Sequence, residues 1–220
     1  MLKNFLRRCY NSISKDTSQQ TLAARFSFFL SPLLQNWAYI PITNWAPGPE
    51  FLCHVANEIC IRNRRTIVEF GSGISTILMA RLAKINNLDI QIYSIDQNQD
   101  WQDRIAAICA VDNTLEPVHF LCRPTRLEEG KSDRTPVDMV IVDGKAEASA
   151  ESRATALNFV APHLGHSFTI FLHDTDRTTE QAIFDDWKKK IACTHTIVAN
   201  RYSVILNDTT MFDTTPQNLC

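Results

Sequence analysis

The segment 66–76 limits the possible folds of this chain more than any other segment does. Its opening residues, Thr66 to Val68, are β-branched, as expected of a buried parallel strand. Gly71 and Gly73 then permit a tight turn and leave room for a ligand against the backbone. The serine and threonine at 75–76 can cap a helix, which the following apolar residues predict. Open α/β sheets bind nucleotides at such turns, where a strand ends.

Two acidic residues distinguish this turn from an ordinary strand–turn–helix. Glu69 lies two residues before Gly71, where the dinucleotide-binding fingerprint has an apolar residue, and Thr76 stands near the position of its third glycine. Asp96 ends the next predicted strand, about 20 residues further on, where an acid can bind ribose hydroxyls. We expect Asp100 to cap the helix that follows, which leaves Asp96 available for a ligand.

At this point the sequence resembles a known family. Residues 69–76 are similar to motif I of the class I S-adenosylmethionine-dependent methyltransferases, and Asp96 matches that family's acid after the second strand. Residues 137–144 resemble its fourth strand, and residues 157–174 resemble its helix, turn and fifth strand. The resemblance covers roughly residues 50–207.

The resemblance implies methyl transfer from S-adenosylmethionine on a Rossmann-like α/β fold. The expected sheet is doubly wound, mostly parallel and seven-stranded, with an antiparallel edge strand. The implied cofactor-binding residues are Glu69, Gly71, Ser72, Gly73, Ser75, Thr76, Asp96, Gln97 and Asp143.

Strands and helices alternate along the chain, which independently predicts a mostly parallel sheet. The predicted strands are 66–70, 90–95, 118–122, 137–142, 167–172, 194–199 and 202–207. The predicted helices are about 50–62, 75–86, 100–110, 149–163 and 178–190. We therefore predict one methyltransferase domain at 50–220 and an N-terminal helical or lid extension at 1–49, with a prolyl hinge at its end.

Composition favours an ordinary globular protein in a reducing compartment. The net charge is −2, which argues against binding nucleic acid by phosphate neutralisation. The seven cysteines are odd in number and widely spaced, which favours free thiols and a cytoplasmic location. No segment has the roughly 18 to 20 apolar residues of a membrane span. The basic residues Lys3, Arg7 and Arg8 favour an amphipathic helix packed on the core, and leave organelle targeting or peripheral membrane contact open.

The chemistry is expected where the fourth and fifth strands end, at Asp143, Lys145, His173 and Asp174. Methyl transfer needs an aligned acceptor with an available lone pair, and a hydroxyl acceptor gains from losing its proton. A general base can remove that proton, and His173 or Asp143 are the candidates, with Lys145 as a further catalytic candidate. A metal ion is the alternative.

The metal alternative places Mg²⁺ between Asp143 and Asp174. These acids resemble the ligand positions of the metal-dependent catechol and caffeoyl-CoA type O-methyltransferases. The match is incomplete, because Thr175 stands where that group has asparagine. Lys145 also follows Asp143 by two residues, whereas the group has its lysine three residues after the acid.

Three residues are candidates for binding the methyl acceptor, which we expect to be a hydroxyl on a small molecule or sugar. Trp45 could form a wall of the pocket, and Arg153 and Arg177 could bind an anionic or polar acceptor. Two other functions stay open: a non-catalytic S-adenosylmethionine-binding subunit and an NAD(P)-dependent oxidoreductase. The sequence does not decide between a monomer and a homodimer.

Overall fold

The computed structural model describes residues 20–42, 44–123, 135–144, 153–209 and 213–216. A seven-stranded sheet runs through the centre of this part of the chain. Its strands are β1 (Thr66–Phe70), β2 (Gln91–Asp96), β3 (Val118–Cys122), β4 (Val137–Val142), β5 (Leu164–His173), β6 (His195–Val198) and β7 (Tyr202–Asn207).

Helices cover both faces of the sheet. They are α1 (20–29), α2 (Ser31–Leu34), α3 (Pro49–Ile61), α4 (Ile74–Asn86), α5 (Gln99–Val111), α6 (Arg153–Val160) and α7 (Thr178–Lys190), with a 3₁₀ turn at Ala161–His163. Among the described residues, no helix is both long and apolar enough to cross a membrane.

The strand order is β3-β2-β1-β4-β5-β7-β6, and strands β1 to β5 are parallel. The chain moves outward from β1 to β3 on one side and then returns to place β4 on the other side of β1. The gap between the ends of β1 and β4 is thus the point where the winding reverses. Ligands of open α/β sheets bind at such a point.

The closing hairpin confirms the predicted antiparallel pairing at this edge of the sheet. Strand β7 runs antiparallel to both of its neighbours, β5 and β6, and lies between them, so that β6 is the outermost strand. This register sets His173 at the end of β5 opposite Tyr202 at the start of β7. The hairpin turn therefore lies beside the carboxyl end of β5.

Two hydrophobic layers sandwich the sheet, as the alternation of side chains along each strand requires. Ile67 belongs to the layer under α3 and α4, whereas the next residue, Val68, belongs to the layer under α6 and α7. Phe26, Leu30 and Leu33 from the N-terminal extension join the first layer. The described part of the extension is thus packed on the domain.

Two predicted elements differ from the structure by more than one residue at a boundary. Strand β5 begins at Leu164 and not at residue 167, and a register shift against β4 between Val137 and Met139 accommodates the added residues. The helix predicted at 149–163 is described from Arg153 and tightens into the 3₁₀ turn after Val160. Its predicted first residues, 149–152, lie outside the described part of the chain.

Candidate cofactor and acceptor site

Gly71 brings the loop after β1 against the loop after β4. Its φ of +100° lies in the region that side chains disfavour, and a Cβ there would lie 2.7 Å from the backbone nitrogen of Gly144. Backbone hydrogen bonds fix the approach: the N–H of Gly71 donates to the Ile95 carbonyl (2.8 Å), and that of Asp143 donates to the Phe70 carbonyl (2.9 Å). This position therefore requires glycine.

Gly73 has a different environment. A Cβ at this residue would have nothing within 4 Å among the described residues, so this side of the loop is open. The N–H of Gly73 donates to the Thr76 hydroxyl (2.9 Å) as α4 begins. The loop thus offers an unobstructed backbone where a ligand can approach closely.

Glu69 supports this loop from inside the protein. Its side chain is fully buried and accepts hydrogen bonds from the hydroxyls of Ser75, Thr76 and Ser94. Burial raises the pKa of Glu69 to about 7, although these hydroxyls partly oppose the shift. The Glu69 carboxylate therefore faces the buried end of α4 and supports the loop, and its assignment to cofactor binding stays a prediction.

The hydroxyl-bearing residues of the motif also face inward. Ser75 and Thr76 are buried against Glu69, and the Ser72 hydroxyl lies 2.8 Å from that of Ser94. The Ser72 carbonyl accepts a hydrogen bond from the Trp101 indole (2.7 Å). These side chains thus support the loop, and the assignment of Ser72, Ser75 and Thr76 to cofactor binding stays a prediction.

Asp96 is half-buried at the end of β2, next to the loop. One of its carboxylate oxygens accepts from the Ser72 N–H (3.0 Å) and the other from the Asn98 N–H (2.9 Å). The cap of α5 is Asn98, whose side chain accepts from the Trp101 N–H (3.1 Å), and not Asp100 as predicted. Asp96 thus has a fixed orientation, and its assignment to ribose binding stays a prediction.

Gln97, the last cofactor candidate on this side, is also half-buried. Its backbone carbonyl accepts a hydrogen bond from the Arg123 side chain (3.0 Å), which attaches the end of β3 to the loop after β2. Its contact with the cofactor likewise stays a prediction.

Three candidate catalytic residues converge where β4 and β5 end. The Nδ1 atom of His173 lies 2.8 Å from an oxygen of Asp143 and 3.3 Å from an oxygen of Asp174. His173 is 1% exposed, and the ring of Phe51 packs edge-on against it with a centroid distance of 5.1 Å. Asp143 is half-buried and is therefore more accessible than His173.

The charges of this cluster are strongly coupled. Burial disfavours the charged form of His173, but Asp143 and Asp174 outweigh that effect and raise its pKa. Burial likewise acts to raise the pKa of Asp174, but His173 and Arg153 hold it well below the usual range. Asp174 also has a positive φ of 60°, a left-handed conformation that aspartate adopts more readily than most residues.

Arg153 lies inside this cluster and not on the acceptor side, which corrects the prediction that it binds the acceptor. It is 6% exposed. Its guanidinium donates to the carbonyls of Gly144 (2.7 Å) and His173 (2.9 Å) and pairs with Asp174 (3.0 Å) and Glu180 (3.4 Å). These partners occupy its donors, so the side chain holds the ends of β4 and β5 together.

Two further arginines approach Asp174 from the surface. Arg177 pairs with one carboxylate oxygen of Asp174 at 3.2 Å and Arg201 with the other at 2.6 Å. Their side chains are 42% and 44% exposed. Both can therefore meet a ligand, and Arg177 stays a candidate for acceptor binding.

The donor atoms of Asp143, His173 and Asp174 lie within 4.8 Å of one another, close enough to share a metal ion. The surroundings do not suit Mg²⁺, because guanidinium groups already engage both oxygens of Asp174. Mg²⁺ binds to carboxylates that keep lone pairs for it and retains several waters. The described residues thus fit a divalent cation poorly.

The two remaining predicted residues are less defined. Lys145 lies outside the described residues. Trp45 is 80% exposed on the segment that leads into α3, six residues before the Phe51 that packs on His173. This position is compatible with a wall of the acceptor pocket, which stays a prediction.

Sequence reasoning missed several residues of the site. Arg201 was not among the predicted site residues, although the pairing of Tyr202 with His173 carries the hairpin turn to Asp174. Glu180 follows Arg177 by one helical turn, a spacing that could have indicated their pairing with each other at 4.0 Å. Ser94 could have been found as a polar residue between Tyr93 and Ile95 in the middle of β2.

Together, the strand order and the glycine loop at the winding reversal define a Rossmann-like domain of the class I methyltransferase type. Residues 68–175 match the model of a family described as a methyltransferase domain. This match is consistent with the class I, S-adenosylmethionine-dependent methyltransferase family that the sequence motifs resemble. No curated protein matches the chain by sequence.

Solved structures agree with this fold. The O-methyltransferase TomG from Streptomyces achromogenes, involved in tomaymycin synthesis and solved in complex with SAM, is 15% identical with a TM-score of 0.58; the match covers 76% of this chain and 84% of TomG. An O-methyltransferase from Bacillus cereus in complex with SAH is 13% identical with a TM-score of 0.56, covering 80% and 90% of the two chains. A SAM-dependent O-methyltransferase from Thermotoga maritima is 9% identical with a TM-score of 0.56, covering 76% and 68%.

Proposed function

We propose that this chain transfers the methyl group of S-adenosylmethionine to a hydroxyl oxygen of a small molecule or sugar. The observation that carries the proposal is the open glycine loop at the point of winding reversal, flanked by the strand-end acids Asp96 and Asp143. The structural neighbours whose names specify O-methylation support oxygen as the acceptor atom.

The two strand-end acids have different roles in this proposal. Asp96, oriented by the N–H groups of Ser72 and Asn98, accepts hydrogen bonds from the ribose hydroxyls. The Gly71–Gly73 backbone admits the rest of the cofactor, which supplies an electrophilic methyl group when bound. Asp143 faces the acceptor from the end of β4.

The general base is the Asp143–His173 pair. Asp143 is the half-buried member, so it takes up the proton that the acceptor hydroxyl loses. His173 lies behind it with Nδ1 at 2.8 Å and orients the carboxylate. Trp45 and Arg177 are exposed and line the approach of the acceptor.

Calorimetric titration with S-adenosylmethionine and S-adenosylhomocysteine tests the cofactor. We expect micromolar binding to the wild-type protein and a loss of about tenfold or more in Asp96→Ala, because the ribose contacts disappear. Asp100→Ala is the matched control, since Asp100 lies exposed in the first turn of α5, and it should bind like the wild type.

Absence of binding to either ligand would overturn the proposal and bring forward the oxidoreductase alternative, which a titration with NADH tests directly. Unchanged affinity in Asp96→Ala would refute the assignment of Asp96 to the ribose. Catalysis is separated from mere binding by transfer of labelled methyl groups to a panel of phenols and sugars. Asp143→Asn should abolish that transfer while cofactor binding persists.

A further inference from the structure

The guanidinium of Arg153 lies between the carboxyl ends of β4 and β5. It bridges the two strand-end acids, with one Nη atom 3.0 Å from Asp174 and 3.5 Å from Asp143. It also donates to the Gly144 and His173 carbonyls, so it binds both the side chains and the backbone of the two strand ends. A metal ion held by Asp143 and Asp174 would lie between the same two carboxylates.

The charges around this position are already balanced. Three carboxylates, from Asp143, Asp174 and Glu180, face three guanidinium groups, from Arg153, Arg177 and Arg201. Among the described residues of the cluster, the remaining titratable group is His173, which contacts both aspartates. The carboxylates that a divalent cation would need are already paired with Arg153. The fixed positive charge of Arg153 would repel the cation.

We propose that Arg153 takes the place of a divalent cation at this site, so that the wild-type cluster excludes the metal and a guanidinium holds Asp143 and Asp174 instead. The link to acceptor activation rests on the function proposed above, whereas the exclusion of metal does not. Arg153 is a positioning residue in this scheme. It holds the strand ends that carry the Asp143–His173 pair through hydrogen bonds to the Gly144 and His173 carbonyls, which a guanidinium supplies in a fixed planar geometry.

The first test is titration of the full-length wild-type protein with Mn²⁺, with bound ion counted by electron paramagnetic resonance. We expect no bound Mn²⁺ up to about 1 mM, the range in which weak carboxylate sites of proteins fill. Saturable binding that Asp174→Asn abolishes would overturn the proposal. The expected absence of binding is measured on the wild-type protein alone.

The second test removes the guanidinium. Arg153→Met leaves the carboxylates without their shared cation, so the variant should bind Mn²⁺ at least about tenfold more tightly than the wild type. Arg153→Lys is the matched control, because it keeps a positive charge and should exclude Mn²⁺ like the wild type. A folded Arg153→Met variant that gains no Mn²⁺ binding would contradict the role of Arg153 as the excluding cation. A purely structural arginine would not produce a gain of metal binding.

Titration of the same samples with S-adenosylhomocysteine keeps this inference separate from the proposed function. Failure to bind S-adenosylhomocysteine would refute the cofactor assignment, whatever the Mn²⁺ result. Conversely, Mn²⁺ binding by a wild-type protein that also binds S-adenosylhomocysteine would refute only the exclusion of metal.

Discussion

At Gly71 the conformation of the loop depends on the absence of a side chain. The sequence identifies it as a turn glycine, but only the structure shows that its Cβ position is filled by the backbone of Gly144. Gly71→Ala should therefore lose about 2 to 4 kcal/mol of unfolding free energy, from backbone strain together with overpacking. Urea unfolding followed by circular dichroism measures this loss.

Gly73→Ala is the matched control for that measurement. Its backbone is extended and its Cβ position is open, so its stability should stay within about 1 kcal/mol of the wild type. Binding of S-adenosylhomocysteine should nevertheless weaken, because the added methyl group enters the open side of the loop. Equal stability of the two variants would show that the approach of Gly144 is not maintained in solution.

Glu69 makes the stability of the protein depend on pH. Its carboxyl keeps its proton up to a pKa of about 7 in the folded state, against 4.5 for an ordinary glutamate. The protonated carboxyl thus contributes stability that is fully present below about pH 4.5 and is lost as the pH rises through about 7. The expected loss is about 3 kcal/mol.

Glu69→Gln tests this dependence, because glutamine has nearly the same shape but does not ionise. Unfolding free energies of both proteins should be compared between about pH 5 and about pH 8. We expect the stability of the wild type relative to the variant to fall across this window. A constant difference would mean that Glu69 is ionised throughout.

At the scale of elements, the C-terminal segment 213–216 is attached to α3 through buried polar groups. The Thr214 hydroxyl donates to Glu58 and lies 3.2 Å from Nε2 of His54, while Asn57 donates to the Thr214 carbonyl at 2.9 Å. Burial lowers the pKa of His54 to about 4, so its ring is neutral at physiological pH. These contacts join segment 213–216 to α3, the helix that leads into β1.

Thr214→Val should cost about 1 to 3 kcal/mol of unfolding free energy. The substitution keeps the shape of the side chain but removes its hydroxyl and leaves buried partners on α3 without their hydrogen bonds. Thr215→Val is the control, because Thr215 is half-buried and should tolerate the change within about 1 kcal/mol. Equal denaturation midpoints for the two variants would contradict a stabilising role for this attachment.

The elements themselves were largely predictable from sequence. The runs at 66–70, 118–122 and 137–142 are apolar, β-rich and bounded by polar or turn residues, and each forms a strand with these bounds. The start of β5 was missed because Gly165 reads locally as a turn residue. Pairing with β4 keeps it in the strand, a tertiary effect that overrides local propensity.

At the scale of the whole molecule, Arg81 joins the N-terminal extension to the domain. It is fully buried on α4, donates to the carbonyls of Leu33 and Ala38 at 2.8 Å, and pairs with Asp112 at 2.6 Å. These contacts bind the backbone of the extension to α4. The apolar side chains of the extension already pack in the core of the domain.

Arg81→Met should release the extension and cost about 3 to 5 kcal/mol, because Asp112 is left as a buried charge without its partner. Hydrogen exchange measured by mass spectrometry should show faster exchange at residues 26–40 in the variant. Lys84→Met is the control: Lys84 also lies on α4 and donates to the Asp112 and Asn113 carbonyls, but its surroundings are more exposed. Protection of residues 26–40 that is unchanged in Arg81→Met would contradict this role.

The sequence by itself determined the fold class, the glycine loop, Asp96 and the acids that end β4 and β5. These features are local, because strand periodicity, turn glycines and strand-end acids follow from residues close together in the chain. The tertiary structure decided which side chains are buried behind the loop and which lie at its surface. It buried Glu69 and Arg153, and it brought Arg201 to Asp174 from the far hairpin. Such burial and pairing depend on residues distant in sequence, and no local pattern specifies them.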